Sequence, residues 1–140
     1  SVGGTLGTNA VGERAILDPV VTVDADPDPN RIPGALCMPG QWLGGTVFKT
    51  WTAGADGKKG LNNIGLLVKV AGTVIGEQET YFTMSDGSPD PIKVLTADLD
   101  GLGLTAGQHV TVTGISSLEI DGILKPIIRL IQAADVKRLD

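Results

Sequence analysis

Charge, aromatic rings, histidine and cysteine are all scarce in this chain, and each shortage removes a class of function. Charged residues make up 19% of the 140 residues and aromatic ones 4%, against roughly 25% charged in an ordinary domain. One histidine, His109, and one cysteine, Cys37, leave no Cys/His set for zinc and no disulfide framework. A lone cysteine reads first as a small buried hydrophobe. His109 sits within a strand pattern with no triad partner near it in sequence. With 11 basic against 16 acidic residues, the net charge of −5 disfavours a non-specific grip on nucleic acid or anionic lipid. The longest apolar runs, Ile64–Val68 and Ile127–Ile131, fall far below the ~18 residues a spanning helix needs. The chain opens on Ser1, which reads as a processed product or an excerpt of something longer.

Glycine, by contrast, is abundant. Its 20 residues amount to about twice the usual share, and they show no every-third-residue period, so a collagen helix is excluded. An apolar content of 41% is enough to bury a core, which argues against disorder. Period-two alternation between turn signals predicts an all-β fold. Residues 1–23 read as strand material with a turn around Asn9 to Gly12. Residues 24–62 form an acidic, Pro/Gly-rich linker and connector with one short strand candidate, Thr46–Trp51. Residues 63–140 hold the regular part: Ile64–Ile75 with a bend at Gly72, Thr80–Met84, Ile92–Leu95, His109–Thr113 and Ile123–Ile131. Pro126 marks the last of these as an edge or a bulge. A final segment, Ala134–Leu139, reads as a short strand or turn.

Five strands, a glycine kink in a long first strand, and a connector between the third and fourth match a five-stranded Greek-key barrel. The segments Gly65-Leu-Leu-Val-Lys-Val-Ala-Gly72, Tyr81-Phe-Thr-Met-Ser-Asp-Gly87 and Leu104-Thr-Ala-Gly107-Gln-His-Val110-Thr-Val112-Thr-Gly114 resemble an OB-fold. The string Gly60-Leu-Asn-Asn-Ile-Gly-Leu-Leu-Val68, with Trp42-Leu-Gly-Gly45 upstream, resembles OB-like modules of secreted bacterial surface proteins. This resemblance covers about residues 40–140 and implies an extracellular or cell-surface location. A weak internal repeat places Val2, Gly4 and Gly12 on Val112, Gly114 and Gly122, with Pro19-Val-Val on Pro126-Ile-Ile after a gap. On that reading residues 1–23 are a half repeat, the last two strands of a second OB unit. The plainer alternative is an N-terminal hairpin packed on its own barrel.

The motifs that could carry chemistry are few. Asp24, Asp26, Asp28 and Asn30 have the alternate oxygen spacing of a calcium loop, but Pro29 and Ala35 stand where an EF-hand needs glycine and glutamate. The alternative is a stiff acidic linker. Asp98 and Asp100 read as solvated turn formers rather than an acid/base pair. Trp42 and Trp51 lie in the connector, where such residues pin a loop to a core, anchor a subunit interface or stack on a sugar. For a ligand-binding face of the OB type, Lys69, Tyr81, Lys93 and Arg129 are the candidates. They are single cations and one displayed aromatic, too few for a single-stranded nucleic-acid platform.

The expectation is therefore a non-catalytic structural or assembly module without a cofactor, calcium being the one alternative. Its partners are like subunits in an oligomer or filament, or neighbouring repeats of a longer chain, joined by β-strand contacts through Val2, Leu6, Ile16, Val21, Val23, Trp42 and Trp51. The runner-up is a binding module for single-stranded nucleic acid or glycan.

Overall fold

A computed structural model describes residues 1–10, 12–23, 33–48, 52–96 and 102–139 of the chain. Among these residues the fold is all-β, and the only helical elements are two short 3-10 turns, Gly40–Trp42 and Ala133–Asp135. Residues of period two supply the inner face. In β4 (Leu67–Glu77), Val68, Val70 and Val74 point inward. They meet Phe82 and Met84 of β5 (Tyr81–Ser85), and Ile92 and Val94 of β6 (Ile92–Leu95). Val110 and Val112 of β7 (His109–Asp121) and Ile128 of β8 (Ile123–Arg129) complete this face. Phe82 and Met84 are thus the inward set of β5, while Tyr81 and Thr83 stay half-buried on the outer side.

Pairing runs β4-β5-β6-β8-β7, and β7 also pairs antiparallel with β4, so the sequence of neighbours returns to its start. Only β6 and β8 are parallel within it. Two short strands are added outside: β3 (Leu36–Cys37), parallel to β4, and β9 (Val136–Arg138), antiparallel to β7. The remaining strands, β1 (Val2–Thr8) and β2 (Arg14–Val21), form a separate two-stranded sheet.

Two glycines explain where sequence periodicity and strand boundaries part. A Cβ at Gly72 would lie 2.6 Å from Met84 Cε and from the Ser85 carbonyl oxygen, so β5 crosses β4 closely only because the side chain is missing. Gly114 reads as the end of the His109–Thr113 strand, yet β7 runs on to Asp121. A Cβ at Gly114 would stand 2.6 Å from both Ile128 Cγ2 and Arg129 O. It is a mid-strand glycine selected by close contact with β8, not by a turn. Pro126 pairs with Leu118 of β7, and pairing of β8 with β6 starts only at Ile127. Proline therefore sits where the strand has one neighbour, as its missing N–H demands.

The connector is more integrated than a linker. Leu43 is fully buried in the core. Asn63, also buried, donates to the Trp42 carbonyl at 2.6 Å, and its Oδ1 accepts from Gly44 N–H and from the Ser116 hydroxyl. Asp56 bonds both ways with Leu124: its carboxylate accepts the Leu124 N–H and its own N–H donates to the Leu124 carbonyl. Two sequence readings are corrected here. Trp42 does not pin the connector, being 52% exposed; the residue after it, Leu43, does. Cys37 is exposed rather than buried, because β3 is an outer strand two residues long. Of the Thr46–Trp51 strand candidate, Phe48 forms a single bridge with Thr52, and Trp51 lies outside the described residues.

Candidate functional site

The feature that departs most from an ordinary small domain is the β1–β2 arm. Direct partners across its ladder are Val2 with Val21, Gly3 with Val20, Thr5 with Leu17, Leu6 with Ile16 and Gly7 with Ala15. Partners lie on one face, and faces alternate along a strand. One face therefore carries Val2, Leu6, Ile16 and Val21, and the other carries Leu17 and Val20. One extra residue lies on β2: the register shifts between Gly3 and Thr5, opposite Asp18, whose φ is +48°. This bulge puts Val21, rather than Val20, on the face of Ile16. Each of these six apolar residues is at least 43% exposed, and Val23 beyond them is 81% exposed. Exposed apolar area of this extent marks an interaction site, and a lone two-stranded sheet is at best marginally stable in water.

The arm is held at its turn. Glu13 is almost fully buried, and its Oε1 accepts hydrogen bonds from Ser117 Oγ and the Leu118 backbone N–H, both at 2.7 Å. Its Oε2 accepts from Asn9 Nδ2 at 2.6 Å, while Asn9 Oδ1 takes the Glu13 N–H. Arg129 Nε donates to Ser117 Oγ at 2.9 Å from the far side. A carboxylate accepting this many donors holds the turn rigidly against β7. Sequence reading missed Glu13. The signal was there, since an isolated acid in a glycine turn is an unusual thing to bury, but nothing in one dimension shows that Ser117 lies opposite.

The arm and the β7–β8 hairpin share a local geometry. A Cβ at Gly4 would meet Ile16 Cγ2 and Leu17 O, and one at Gly114 would meet Ile128 Cγ2 and Arg129 O. Thr5 pairs with Leu17 as Ile115 pairs with Arg129. Gly4 and Gly114 thus each lie against a cross-strand isoleucine and the carbonyl that follows it. By register, Ile16 and Leu17 lie across from the Gly4 region as Ile128 and Arg129 lie across from the Gly114 region, while Pro19 sits at the β2 bulge and Pro126 pairs with Leu118.

The expected ligand-face residues are not assembled into one open cationic surface. Lys93 Nζ lies 4.3 Å from the centroid of the Tyr81 ring and 2.7 Å from Glu119 Oε2. Arg129 is engaged with Ser117. Lys69 is on β4, in the segment that pairs with β3 and β7. The cleft beside Lys93, of about 180 Å³, is lined by Asp56, Lys58, Asp90, Glu119 and Lys125. Lys58 pairs there with Asp90 at 3.1 Å and Lys125 with Asp121 at 2.7 Å. Its lysines are matched to carboxylates, and its volume is below the ~300 Å³ of an ordinary ligand pocket. Asp24, Asp26, Asp28, Asn30, Asp98 and Asp100 lie outside the described residues. His109 is exposed, with Nδ1 2.9 Å from Thr73 Oγ1.

Carboxylates recur as backbone clamps. Asp86 accepts the Gly40 N–H and, at 3.0 Å, the Ser88 N–H. Burial alone would raise its pKa, but hydrogen bonds from the Gly40 backbone and from Ser88 outweigh it and hold the group below its usual 3.8. A depressed folded-state pKa contributes stability that is present above pH 3.8 and is lost as pH falls through the folded value. Melting curves should therefore show wild-type exceeding Asp86→Asn at pH 6, with the gap closing as pH drops below that point. A gap independent of pH would remove the clamp.

No family model matches this chain, and no curated protein matches it. Among the described residues, no helix is long and apolar enough to cross a membrane.

Proposed function

We propose that this chain is a non-catalytic structural module that assembles with like subunits at the cell surface or outside the cell. One observation carries the reading: a two-stranded arm, tied to the body through its turn, exposes apolar side chains on both faces. Covering one face alone would leave the other in water, so the arm suits insertion between surfaces rather than simple docking. The body reads as a five-stranded Greek-key barrel of the OB type. Support for that comes from the returning neighbour order β4-β5-β6-β8-β7 and the single parallel pair β6–β8, the arrangement of a small closed barrel with one crossover. A filament of such units, or an array of neighbouring repeats, follows from the same arm.

Binding of single strands or glycans is the weaker reading, because Lys93 and Arg129 are engaged within the fold and stacking needs more open aromatic faces. Light scattering and negative-stain microscopy of the intact chain test the choice. Polymers or rings are expected at micromolar concentration. Discrete monomers at all concentrations, with submicromolar binding of labelled oligo-dT, would reverse the assignment.

A further inference from the structure

Strand edges decide which surfaces of this molecule can pair with another chain. An open edge presents unpaired N–H and C=O groups, and proteins that must stay apart guard such edges with charges, proline or caps. Most edges here are guarded. Beyond the last β4 contact, β7 offers the Leu118 N–H, and Glu13 occupies it. The tip of β8 is taken on its free side by Asp56, which satisfies both backbone groups of Leu124. β9 carries Lys137 and Arg138, the latter clamped on the Leu102 and Gly103 carbonyls. β2 carries Arg14, Asp18 and Pro19.

Among the described residues, two edges have no such guard. β1 lies in a stretch, Ser1–Gly12, without a charged side chain. β3 lies in another, from Pro33 to Phe48, also uncharged. The Met38 N–H bonds inward to Lys69 O, so by strand alternation Cys37 directs its N–H and C=O away from β4. Leu36 is exposed beside it, and Trp42 is exposed one turn further along the chain. Depletion of charge with apolar and aromatic exposure is the composition of an interface centre.

We infer that β1 of one copy pairs along the open edge of β3 of the next, with the arm's apolar faces covered by the uncharged surface around Leu36 and Trp42. The occupant is a second copy of this chain, since both unguarded edges are present once in every copy. This rests on the assembly reading above and deepens it. Donor and acceptor are different surfaces, so the contact is head-to-tail and builds a ring or an open filament rather than a closed two-fold dimer. The size argument points the same way. A stable contact buries roughly 800 Å² per partner. A two-stranded ribbon of seven residues is ~23 Å long and ~10 Å wide, by strand rise and spacing. One face of it is too small, whereas both faces and the edge together approach the required area.

The chain supplies its own reporter, because Cys37 is the only cysteine and is exposed on the acceptor edge. Gly3→Cys and Thr5→Cys each place one thiol on the donor edge; a Cβ at Gly3 meets nothing within 4 Å. Mild oxidation of either variant, followed by non-reducing electrophoresis, should give a ladder of dimers, trimers and higher species. Adding Cys37→Ser should abolish that ladder. Dimers that persist in the Cys37→Ser background would mean arm-to-arm packing and overturn the β1–β3 contact. Polymers by light scattering with no ladder from either variant would overturn the same contact while leaving assembly intact. Monomers throughout would overturn both.

Discussion

Replacing the Leu6–Ile16 pair by Leu6→Lys with Ile16→Glu is expected to leave a folded chain that no longer assembles. The two positions are direct partners on one face of the arm, so an opposite-charge pair preserves the cross-strand contact and the hairpin with it. Both side chains are exposed within the single chain, and substitutions at such positions usually change stability by no more than about 0.5 kcal/mol. Assembly is another matter. Burying a leucine or isoleucine contributes about 1.5–3 kcal/mol, and each side chain here is roughly half exposed before contact. The pair therefore supplies about 2–3 kcal/mol to the contact, before the cost of forcing two charges into it. At 1.4 kcal/mol per factor of ten, the concentration needed for assembly should rise about 100-fold or more. Sedimentation velocity across a concentration series reads this directly. If the variant polymerises at the wild-type concentration, the arm is not the joint.

Loss of Glu13 acts on the other end of the arm. Glu13→Ala removes the acceptor for Leu118 N–H, Ser117 Oγ and Asn9 Nδ2. Hydrogen bonds to a charged group contribute about 1.5–3 kcal/mol, and a buried donor left without a partner costs about 1–3 kcal/mol. Arg129 still donates to the Ser117 oxygen, but the Ser117 O–H loses its acceptor. A net loss of about 3 kcal/mol follows, or a fall in melting temperature on the order of 10 °C for a domain of this size. Limited proteolysis should cut the freed arm first, because the hydrogen bonds left to its described residues lie mostly in its own ladder and turn. Glu13→Gln keeps one oxygen for Leu118 and should lose less. A melting temperature within 2 °C of wild-type for the alanine variant, on the order of 0.5 kcal/mol or less, would show that the arm is held by something else. Comparing the two experiments separates the arm's anchoring from its stickiness: one changes stability in the isolated chain, the other changes association alone.

Much of the strand pattern was legible in the residues. Ile92–Leu95 is found as the alternation predicts, the first strand of the regular region has its close crossing at Gly72, and the hairpin turn between β1 and β2 lies between Thr8 and Arg14. Glycine caused the main disagreement. The predicted strand His109–Thr113 stops before Gly114, yet Gly114 lies inside a strand. A missing side chain can serve a turn or make room for a neighbour, and only the neighbour's position tells which. The connector obeys a related rule. Its breakers exclude regular elements, but they do not prevent Leu43 from entering the core or Asn63, just past its end, from tying its backbone to Ser116.

By itself the sequence determined the all-β class. It also pointed to the apolar residues of the arm as interface candidates, because strand alternation and exposed valine are local properties. The scarcity of charge already disfavoured a nucleic-acid groove. Only the tertiary structure decided that the arm stands apart from the seven-stranded sheet, that both of its faces are apolar, and that Glu13 holds it. Which face Val20 and Val21 take depends on one inserted residue opposite Gly4, and the anchor depends on Ser117 and Leu118 lying more than one hundred positions from Glu13. A bulge inverts the facing of every residue beyond it, and a buried carboxylate is stable only where distant donors converge on it. Neither is written in the order of residues along the chain.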